Sequence, residues 1–308
     1  MVGVRIQDTG WTLPAPQGFP PSVSGCSTRS PADPWRIDRT ANALLDPYHQ
    51  AVQQLDLNAD VGEGDPESDE ALLRLVTSAN VACGWHAGDA DTMRLTVAIA
   101  RRHGVAVGAH PGYDDREGFG RRPMQLSAAE INGLILDQLR ELDAIAQAAG
   151  TLLHHVKPHG ALYNQAETDA ALAAAIIAAV RAFDSKLRLV GRAGSAMARA
   201  AAAVGHPFTP EAFADRRYRT DGSLLPRSQS GAVLTDPEDV ARQVRSLVTH
   251  GEVVASDGSH VLIAFETLCL HGDTPGSVGL ATRIRRELYI LGVSVSAPGS
   301  PGADITQP

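Results

Sequence analysis

The chain has 308 residues, long enough for one large domain, and its 44% hydrophobic content is ample for a buried core. Aromatic residues make up only 5%, so that core must consist mainly of Ala, Val, Leu and Ile. The formal net charge is −8 and no basic run occurs, which excludes the charge pattern of a nucleic-acid-binding protein.

Cysteine content and hydropathy indicate the compartment. The three cysteines, Cys26, Cys83 and Cys269, form no C-x-x-C pair, and an odd number without that spacing argues against a disulfide framework. No apolar run approaches the roughly 20 residues of a membrane span, and the N-terminus lacks the layout of a secretory signal. We therefore expect a soluble cytoplasmic protein with no membrane partner.

The two ends of the chain differ in composition from its middle. Residues 1–51 and 298–308 are rich in Pro, Gly and Ser and show neither helical nor strand periodicity. Such segments bury too little apolar surface to offset their ordering entropy. We predict a disordered, dispensable extension over 1–51, a folded domain over 52–297 and a disordered tail, with Val52 as an alternative start of the chain.

Short apolar runs alternate with helical patterns through the predicted domain. Strands are predicted at 55–60, 79–83, 105–109, 152–157, 187–191, near 212–214, 262–270 and 293–296. Helices are predicted at 68–77, 89–103, 127–149, 168–183, 194–204, 236–250 and 276–291. This alternation indicates a parallel sheet, open or closed. The sequence lacks both the Rossmann glycine motif and the P-loop motif, so we predict a barrel of about seven strands.

The first predicted strand has a polar face. Asp56, Asn58 and Asp60 alternate with apolar residues, so all three point to one side of the strand. Inside a barrel, buried carboxylates are costly unless they are paired, hydrogen-bonded or bound to a cation. Glu63 follows on a glycine turn. Asp60 and Glu63 are therefore candidate site residues, although Asp56 could be exposed and Asp60 a turn residue.

Titratable residues recur at the ends of the later predicted strands. They are His86 with Asp89, His110, Lys157 with His159, and His271 with Asp273. Asp89 alone would be an ordinary helix cap, and a single histidine would carry little weight. Because strand ends meet at one mouth of a barrel, we predict that together they form one site. Lys157 would there be either charged beside carboxylates or depressed in pKa.

A charged segment between two predicted helices offers a second set of candidates. Residues 213–228 contain few large apolar side chains and carry Asp215, Arg216 and Arg227. The segment could be an ordinary solvated loop. Its length also suits a lid or a substrate clamp.

Seven motifs, in order, resemble the LamB/YcsF family. They lie at 56–63 (DLNADVGE), 84–89 (GWHAGD), 108–111 (GAHP), 156–163 (VKPHGALY), 215–216 (DR), 226–228 (PRS) and 270–273 (LHGD). The likeness runs over about 54–296. It departs from the family at Trp85, where Phe is usual, and at Asp114, where proline is usual, and the first 50 residues have no counterpart.

The resemblance implies a fold and an activity. The fold is a (β/α)7-type barrel of the glycoside hydrolase/deacetylase superfamily. The activity is cleavage of 5-oxo-L-proline to L-glutamate, with ATP as co-substrate hydrolysed to ADP and phosphate. It also implies two partners, 5-oxoprolinase subunits B and C.

The motifs assign roles to residues of this sequence. The catalytic candidates are Asp60, Glu63, His86, His110, Lys157, His159 and His271. The candidates for binding substrate or phosphate are Asp89, Tyr163, Asp215, Arg216, Arg227 and Asp273. The candidate ligands for a metal such as Mg²⁺ are Asp60, Glu63, His86 and His110.

Two other functions stay open at this point. A metal-dependent deacetylase or glycan hydrolase acting alone would use His86, His110 and an aspartate as ligands. A non-catalytic carrier or regulatory subunit would need none of the site residues for the activity of its assembly. The absence of a Walker motif leaves the ATP site unassigned.

Overall fold

The computed structural model describes residues 52–298. The predicted extension over 1–51 and the predicted tail, apart from Pro298, lie outside the described residues. The strands are β1 (Gln54–Val61), β2 (Ser78–Ala82), β3 (Ala106–His110), β4 (Leu153–Val156), β5 (Arg188–Arg192), β6 (Phe208–Phe213), β7 (Glu252–Val254), β8 (His260–Leu262), β9 (Thr267–His271) and β10 (Ser294–Val295). The helices are α1 (Pro66–Leu73), α2 (Ala90–Arg102), α3 (Ala128–Ala148), α4 (Gly160–Ala166), α5 (Ala170–Phe183), α6 (Ala196–Ala203), α7 (Pro237–His250) and α8 (Ser277–Ile290).

Seven of these strands close into a parallel barrel. Strands β1 to β6 pair in sequence order, β6 pairs with β9, and β9 pairs with β1. The closing register sets Asp56 beside Thr267 and Asp60 beside His271. Helices follow the strands as in other barrels of alternating strands and helices, and the predicted (β/α)7 architecture is confirmed.

The two faces of β1 divide the apolar core from the polar interior. Leu57 and Ala59 are fully buried in the apolar core. Asn58 and Asp60 point to the other face, where they bond to residues of neighbouring strands inside the barrel. The period of two along a strand therefore gives an apolar layer outside the sheet and a polar interior.

Two local predictions need correction, and two further features were not predicted. The predicted strand 262–270 is wrong as a single element, because β8 ends at Leu262 and β9 begins at Thr267. Only its first residue, Leu262, belongs to β8, which pairs with β7 in an antiparallel hairpin that was not predicted. Strand β6 starts four residues before the weak prediction near 212–214, and the short helix α4 was not predicted. No helix within 52–298 is both long and apolar enough to cross a membrane.

Candidate active site

A cavity of about 680 Å³ lies at the carboxyl ends of the barrel strands. The predicted site residues that line it are Asp60, Glu63, His110, Lys157, His159, Tyr163, Arg216, Arg227, His271 and Asp273. His86 and Asp215 are fully buried and contact two of the lining residues, Glu63 and His271. Strand ends far apart in sequence therefore meet at one cavity, as side chains do at the carboxyl ends of barrel strands.

Lys157 is a buried cation on the cavity floor. Its Nζ lies 3.0 Å from Asp60 Oδ1 and 2.9 Å from Glu211 Oε1. It also lies 3.0 Å from the sulfur of Cys269. Burial alone would lower the pKa of the ammonium, but Asp60, Cys269 and Glu211 outweigh it and hold the pKa well above its ordinary value. Of the two states predicted for Lys157, the structure favours the charged one.

Glu211 is a central site residue that the sequence analysis missed. It is fully buried, and it accepts hydrogen bonds from Asn58 Nδ2 at 3.1 Å and from the Tyr163 hydroxyl at 3.2 Å. Alternation along β6 places Glu211 on the same face as Thr209 and Phe213, which could have revealed it.

Three titratable side chains surround the carboxylate of Glu63. Its Oε1 lies 3.2 Å from His86 Nε2, 3.1 Å from His159 Nδ1 and 3.7 Å from His110 Nε2. The rings of His86 and His159 stack with their centroids 3.8 Å apart. Burial would raise the pKa of Glu63, but its contacts with the His159 and His86 rings hold it well below its ordinary value. Burial lowers the pKa of His86 to about 4.

Asp60 connects this group to Lys157. Its Oδ2 lies 3.4 Å from His110 Nε2, and its Oδ1 accepts a hydrogen bond from Asn80 Nδ2 at 2.8 Å. Burial would raise the pKa of Asp60, but His110 and Lys157 hold it well below its ordinary value. Burial also disfavours the imidazolium of His110, yet Asp60 and Glu63 raise the pKa of that ring.

His271 and Asp215 form a dyad on another side of the cavity. His271 Nδ1 lies 3.0 Å from Asp215 Oδ1, and Thr274 Oγ1 donates to the same carboxylate at 2.8 Å. The His271 ring stacks on Phe213 at an interplanar angle of 12°. Burial would raise the pKa of Asp215, but His271 and Thr274 lower it. A carboxylate at Nδ1 fixes the tautomer and leaves Nε2 to accept a proton, as a general base requires.

Guanidinium groups form the cationic side of the cavity. Arg216 is 6% exposed, its Nη2 donates to Leu225 O at 2.5 Å, and its Nε has no hydrogen-bond partner among residues 52–298. Arg227 Nη1 lies 3.2 Å from Asp273 Oδ2, and Arg121 pairs with the same carboxylate. Burial and the charge of Arg227 lower the pKa of Arg216. This side suits an anionic group of a substrate.

Asp89 is the predicted site residue that the structure places apart from the cavity. It is exposed and caps α2, where its Oδ1 accepts the Thr92 N–H at 2.8 Å. Hydrogen bonds from the backbone and side chain of Thr92 lower its pKa. The ordinary helix-cap function therefore accounts for Asp89, and its assignment to substrate binding stays a prediction.

Two groups of metal-binding residue types occur in the part of the chain that the structure describes. Glu63, His110 and His159 form one, and Asp60, Cys269 and His271 form the other; in each, the donor atoms lie within 4.8 Å of one another. The four predicted ligands are thus divided. Glu63 and His110 share a group, Asp60 belongs to the other, and His86 is in neither.

Comparison with known proteins gives a consistent result. The sequence model of the LamB/YcsF family matches residues 55–301. The A subunit of 5-oxoprolinase from Methylococcus capsulatus is 53% identical over 252 residues, which cover 80% of this chain and 97% of that protein. The protein of the same name from Symbiobacterium thermophilum is 50% identical over 81% of this chain and 97% of its own length. The crystal structure of a lactam utilization protein from Thermus thermophilus is 44% identical, with a TM-score of 0.75, and covers 79% of this chain and 99% of that one.

Proposed function

The chain belongs to the LamB/YcsF family, and on that premise we propose that it is the A subunit of an ATP-dependent 5-oxoprolinase. It would be a hydrolase that breaks the cyclic amide C–N bond of 5-oxo-L-proline and releases L-glutamate. The observation that carries the proposal is one cavity lined by a charged Lys157, the Asp215-oriented His271 and a side of guanidinium groups. Hydrolysis of an activated amide needs a base for water and cations for the oxygens that become negative.

The chemistry explains why ATP is required. An unstrained lactam is a poor electrophile at neutral pH, and phosphorylation of its carbonyl oxygen makes the carbonyl carbon reactive. Water then adds to that carbon, the C–N bond breaks, and the ring nitrogen takes a proton. The product is an acyl phosphate, which a second water hydrolyses to the side-chain carboxylate of glutamate and phosphate.

The cavity residues have different roles in this reaction according to their positions. His271, oriented by Asp215, takes the proton from the attacking water. Lys157 stabilises the negative charge that develops on oxygen at the reacting carbon. Arg216 and Arg227 bind the phosphoryl group, since guanidinium groups match phosphate geometry.

We assign the binding of ATP, with Mg²⁺, to subunits B and C. The sequence contains neither a P-loop nor a Rossmann glycine motif, so no local pattern supplies a nucleotide site. The phosphorylated lactam then reaches this chain from its partners. The purified chain alone should therefore show no ATP-driven formation of glutamate.

Reconstitution tests the proposal. The chain is combined with purified subunits B and C, and glutamate formation from 5-oxoproline is followed with and without ATP. We expect turnover only with all three subunits and ATP. Equal turnover by B and C alone would support a non-catalytic chain. ATP-independent release of acetate from acetylated sugars by this chain would support a deacetylase.

A further inference from the structure

Two imidazole rings beside Glu63 are held in defined tautomers by backbone carbonyls. His110 Nδ1 lies 2.7 Å from the carbonyl oxygen of Lys157, and His159 Nε2 lies 2.9 Å from the carbonyl oxygen of Phe119. A carbonyl oxygen can only accept a hydrogen bond, so both of these nitrogens carry hydrogen. In the neutral rings, His110 Nε2 and His159 Nδ1 therefore carry lone pairs.

These lone pairs face each other and a carboxylate oxygen. His110 Nε2 and His159 Nδ1 are 3.0 Å apart, and Glu63 Oε1 lies 3.7 Å and 3.1 Å from them. Three acceptors at such distances repel one another unless a proton or a metal cation lies among them. With the histidine rings neutral, the three carboxylates Asp60, Glu63 and Glu211 and the ammonium of Lys157 give a formal charge of −2, which one divalent cation would cancel.

We propose that Glu63, His110 and His159 bind one first-row divalent metal ion of the Zn²⁺ type. A triangle with these three sides allows one ion to lie about 2.1 Å from all three donors, the Zn–N and Zn–O distance in proteins. All three residues line the cavity, so a fourth coordination position is available on the cavity side. Two nitrogens and one carboxylate suit Zn²⁺ better than Mg²⁺, which prefers oxygen ligands.

The surroundings match those of metal-binding histidines. Such rings almost always donate their other N–H to a carbonyl or carboxylate, which fixes the ring and its tautomer. The carbonyl that holds His159 belongs to Phe119, whose backbone adopts a φ of 55°, rare for a bulky side chain. A strained conformation of this kind persists where the surrounding structure requires it, here to direct the Phe119 carbonyl towards His159.

The second group of donor residues, Asp60, Cys269 and His271, does not support a metal site in the same way. Asp60 Oδ1 and the sulfur of Cys269 already contact the ammonium of Lys157, each at 3.0 Å. His271 Nδ1 is bonded to Asp215. A cation is present there already, and the proposal is therefore restricted to Glu63, His110 and His159.

Metal binding by the full chain, without partner subunits, tests this proposal independently of the proposed activity. Chelator-treated protein is titrated with Zn²⁺, and bound metal is counted by mass spectrometry after dialysis. The variants are His110→Gln and His159→Gln. The control is His250→Gln, which changes an exposed histidine at the end of α7. Binding of Co²⁺ to the unmodified chain, followed by its visible absorption, reports nitrogen ligation without any variant.

We expect one equivalent of Zn²⁺ per chain and an absorption typical of Co²⁺ with nitrogen ligands. Each of the two variants should weaken Zn²⁺ binding by at least about 100-fold. Loss of a group that only hydrogen-bonds to a metal ligand already lowers metal affinity by about 10- to 100-fold, and loss of the ligand itself should cost more. His250→Gln should bind as the unmodified chain does. The proposal is overturned if the unmodified chain retains no stoichiometric Zn²⁺, or if both variants bind it undiminished. It is also overturned if a proton shared by the two rings, seen by NMR, persists in excess Zn²⁺.

Discussion

Two carboxylates on the same face of β1, four residues apart, have opposite environments. Asp56, in the lower interior of the barrel, accepts hydrogen bonds from the hydroxyls of Thr77 at 2.6 Å, Ser78 at 2.8 Å and Thr267 at 2.5 Å. Burial raises its pKa to about 6 in spite of these bonds. Asp60, at the cavity floor, contacts Lys157 and has a pKa well below its ordinary value.

The comparison distinguishes two layers of the barrel interior: the layer around Asp56 serves stability, and the layer around Asp60 serves the chemistry of the cavity. Among the residues that the structure describes, the carboxylate of Asp56 is hydrogen-bonded only to neutral hydroxyls and has no cation beside it. Charged groups satisfy the upper carboxylate, and they face a cavity large enough for a substrate. Burial of a carboxylate alone therefore does not identify a catalytic group in this barrel; the charge of its partners does.

The largest effect is expected at Lys157. Lys157→Met should reduce turnover of the reconstituted assembly by about 1,000-fold, because the cation that we assign to the developing negative charge is lost. It should also lower the free energy of unfolding by about 3–5 kcal/mol, since Asp60 and Glu211 would be left buried without their cation. Glutamate release and urea unfolding measure the two effects.

A second substitution separates these two effects of Lys157. Adding Glu211→Gln to Lys157→Met removes one of the uncompensated charges, so stability should partly return while activity stays lost. Full activity of either variant would exclude Lys157 from the reaction.

A large effect on rate, with little effect on stability, is expected from a change in the His271–Asp215 dyad. His271→Gln should lower kcat by about 100-fold or more, the usual contribution of a positioned general base. His271 is only partly buried, and a Gln side chain at this position can still donate a hydrogen bond to the buried Asp215, so the melting temperature should change little. Steady-state kinetics with the phosphorylated substrate generated in situ would show it. An unchanged kcat would assign the base to another residue.

Asp56 should make the free energy of unfolding depend on pH. Because the pKa of Asp56 rises from 3.8 to about 6 on folding, chiefly through burial, the folded chain holds this proton more tightly. Its contribution to stability is fully present below pH 4 and is lost as pH rises through 6, a change of up to about 3 kcal/mol.

Urea unfolding of the unmodified chain and of Asp56→Asn between pH 4 and 8 measures this contribution. The difference in unfolding free energy between the two proteins should change with pH in that window. A difference independent of pH would mean that Asp56 is ionised as readily in the folded chain as in the unfolded one.

The smallest effect is expected at Asp89. Asp89→Ala should lower the melting temperature by roughly 2–4 °C through loss of the α2 cap, with turnover within about two-fold of normal. Asp169→Ala, which removes the equivalent cap of α5, is the matched control. A large loss of turnover specific to Asp89→Ala would restore its predicted binding function.

Much of this arrangement of polar residues could be predicted from local sequence patterns. Alternation along β1 predicted the inward face of Asp56 and Asp60, and strand ends predicted that His110, Lys157 and His271 would share a cavity. These predictions needed only the strand period and the geometry of a closed parallel sheet. The hydroxyl or ammonium partners of each carboxylate, by contrast, come from distant strands and leave no local signal.

Glu211 shows where this reasoning fails. Its strand contains Pro210, which argues against a central strand because proline cannot donate to the sheet. In the structure, Pro210 still takes part through its carbonyl, which accepts the Glu266 N–H at 2.8 Å. The run 262–270 failed for a different reason. Three apolar residues, Ile263, Ala264 and Phe265, follow directly after β8, so hydropathy gives no sign that this strand ends at Leu262.

Closure of the barrel between β1 and β9 has a consequence for synthesis of the chain. Asp56 bonds to Thr267 across 211 positions, and at about 5–20 residues per second these are made roughly 10–40 s apart. During that interval one edge of β1 has no strand to pair with. Its row of polar side chains then faces water, and inward-pointing charges of this kind hinder pairing of an open edge with another nascent chain. We therefore expect the polar face of β1, which ends at the cavity floor with Asp60, also to disfavour aggregation of the growing chain on the ribosome.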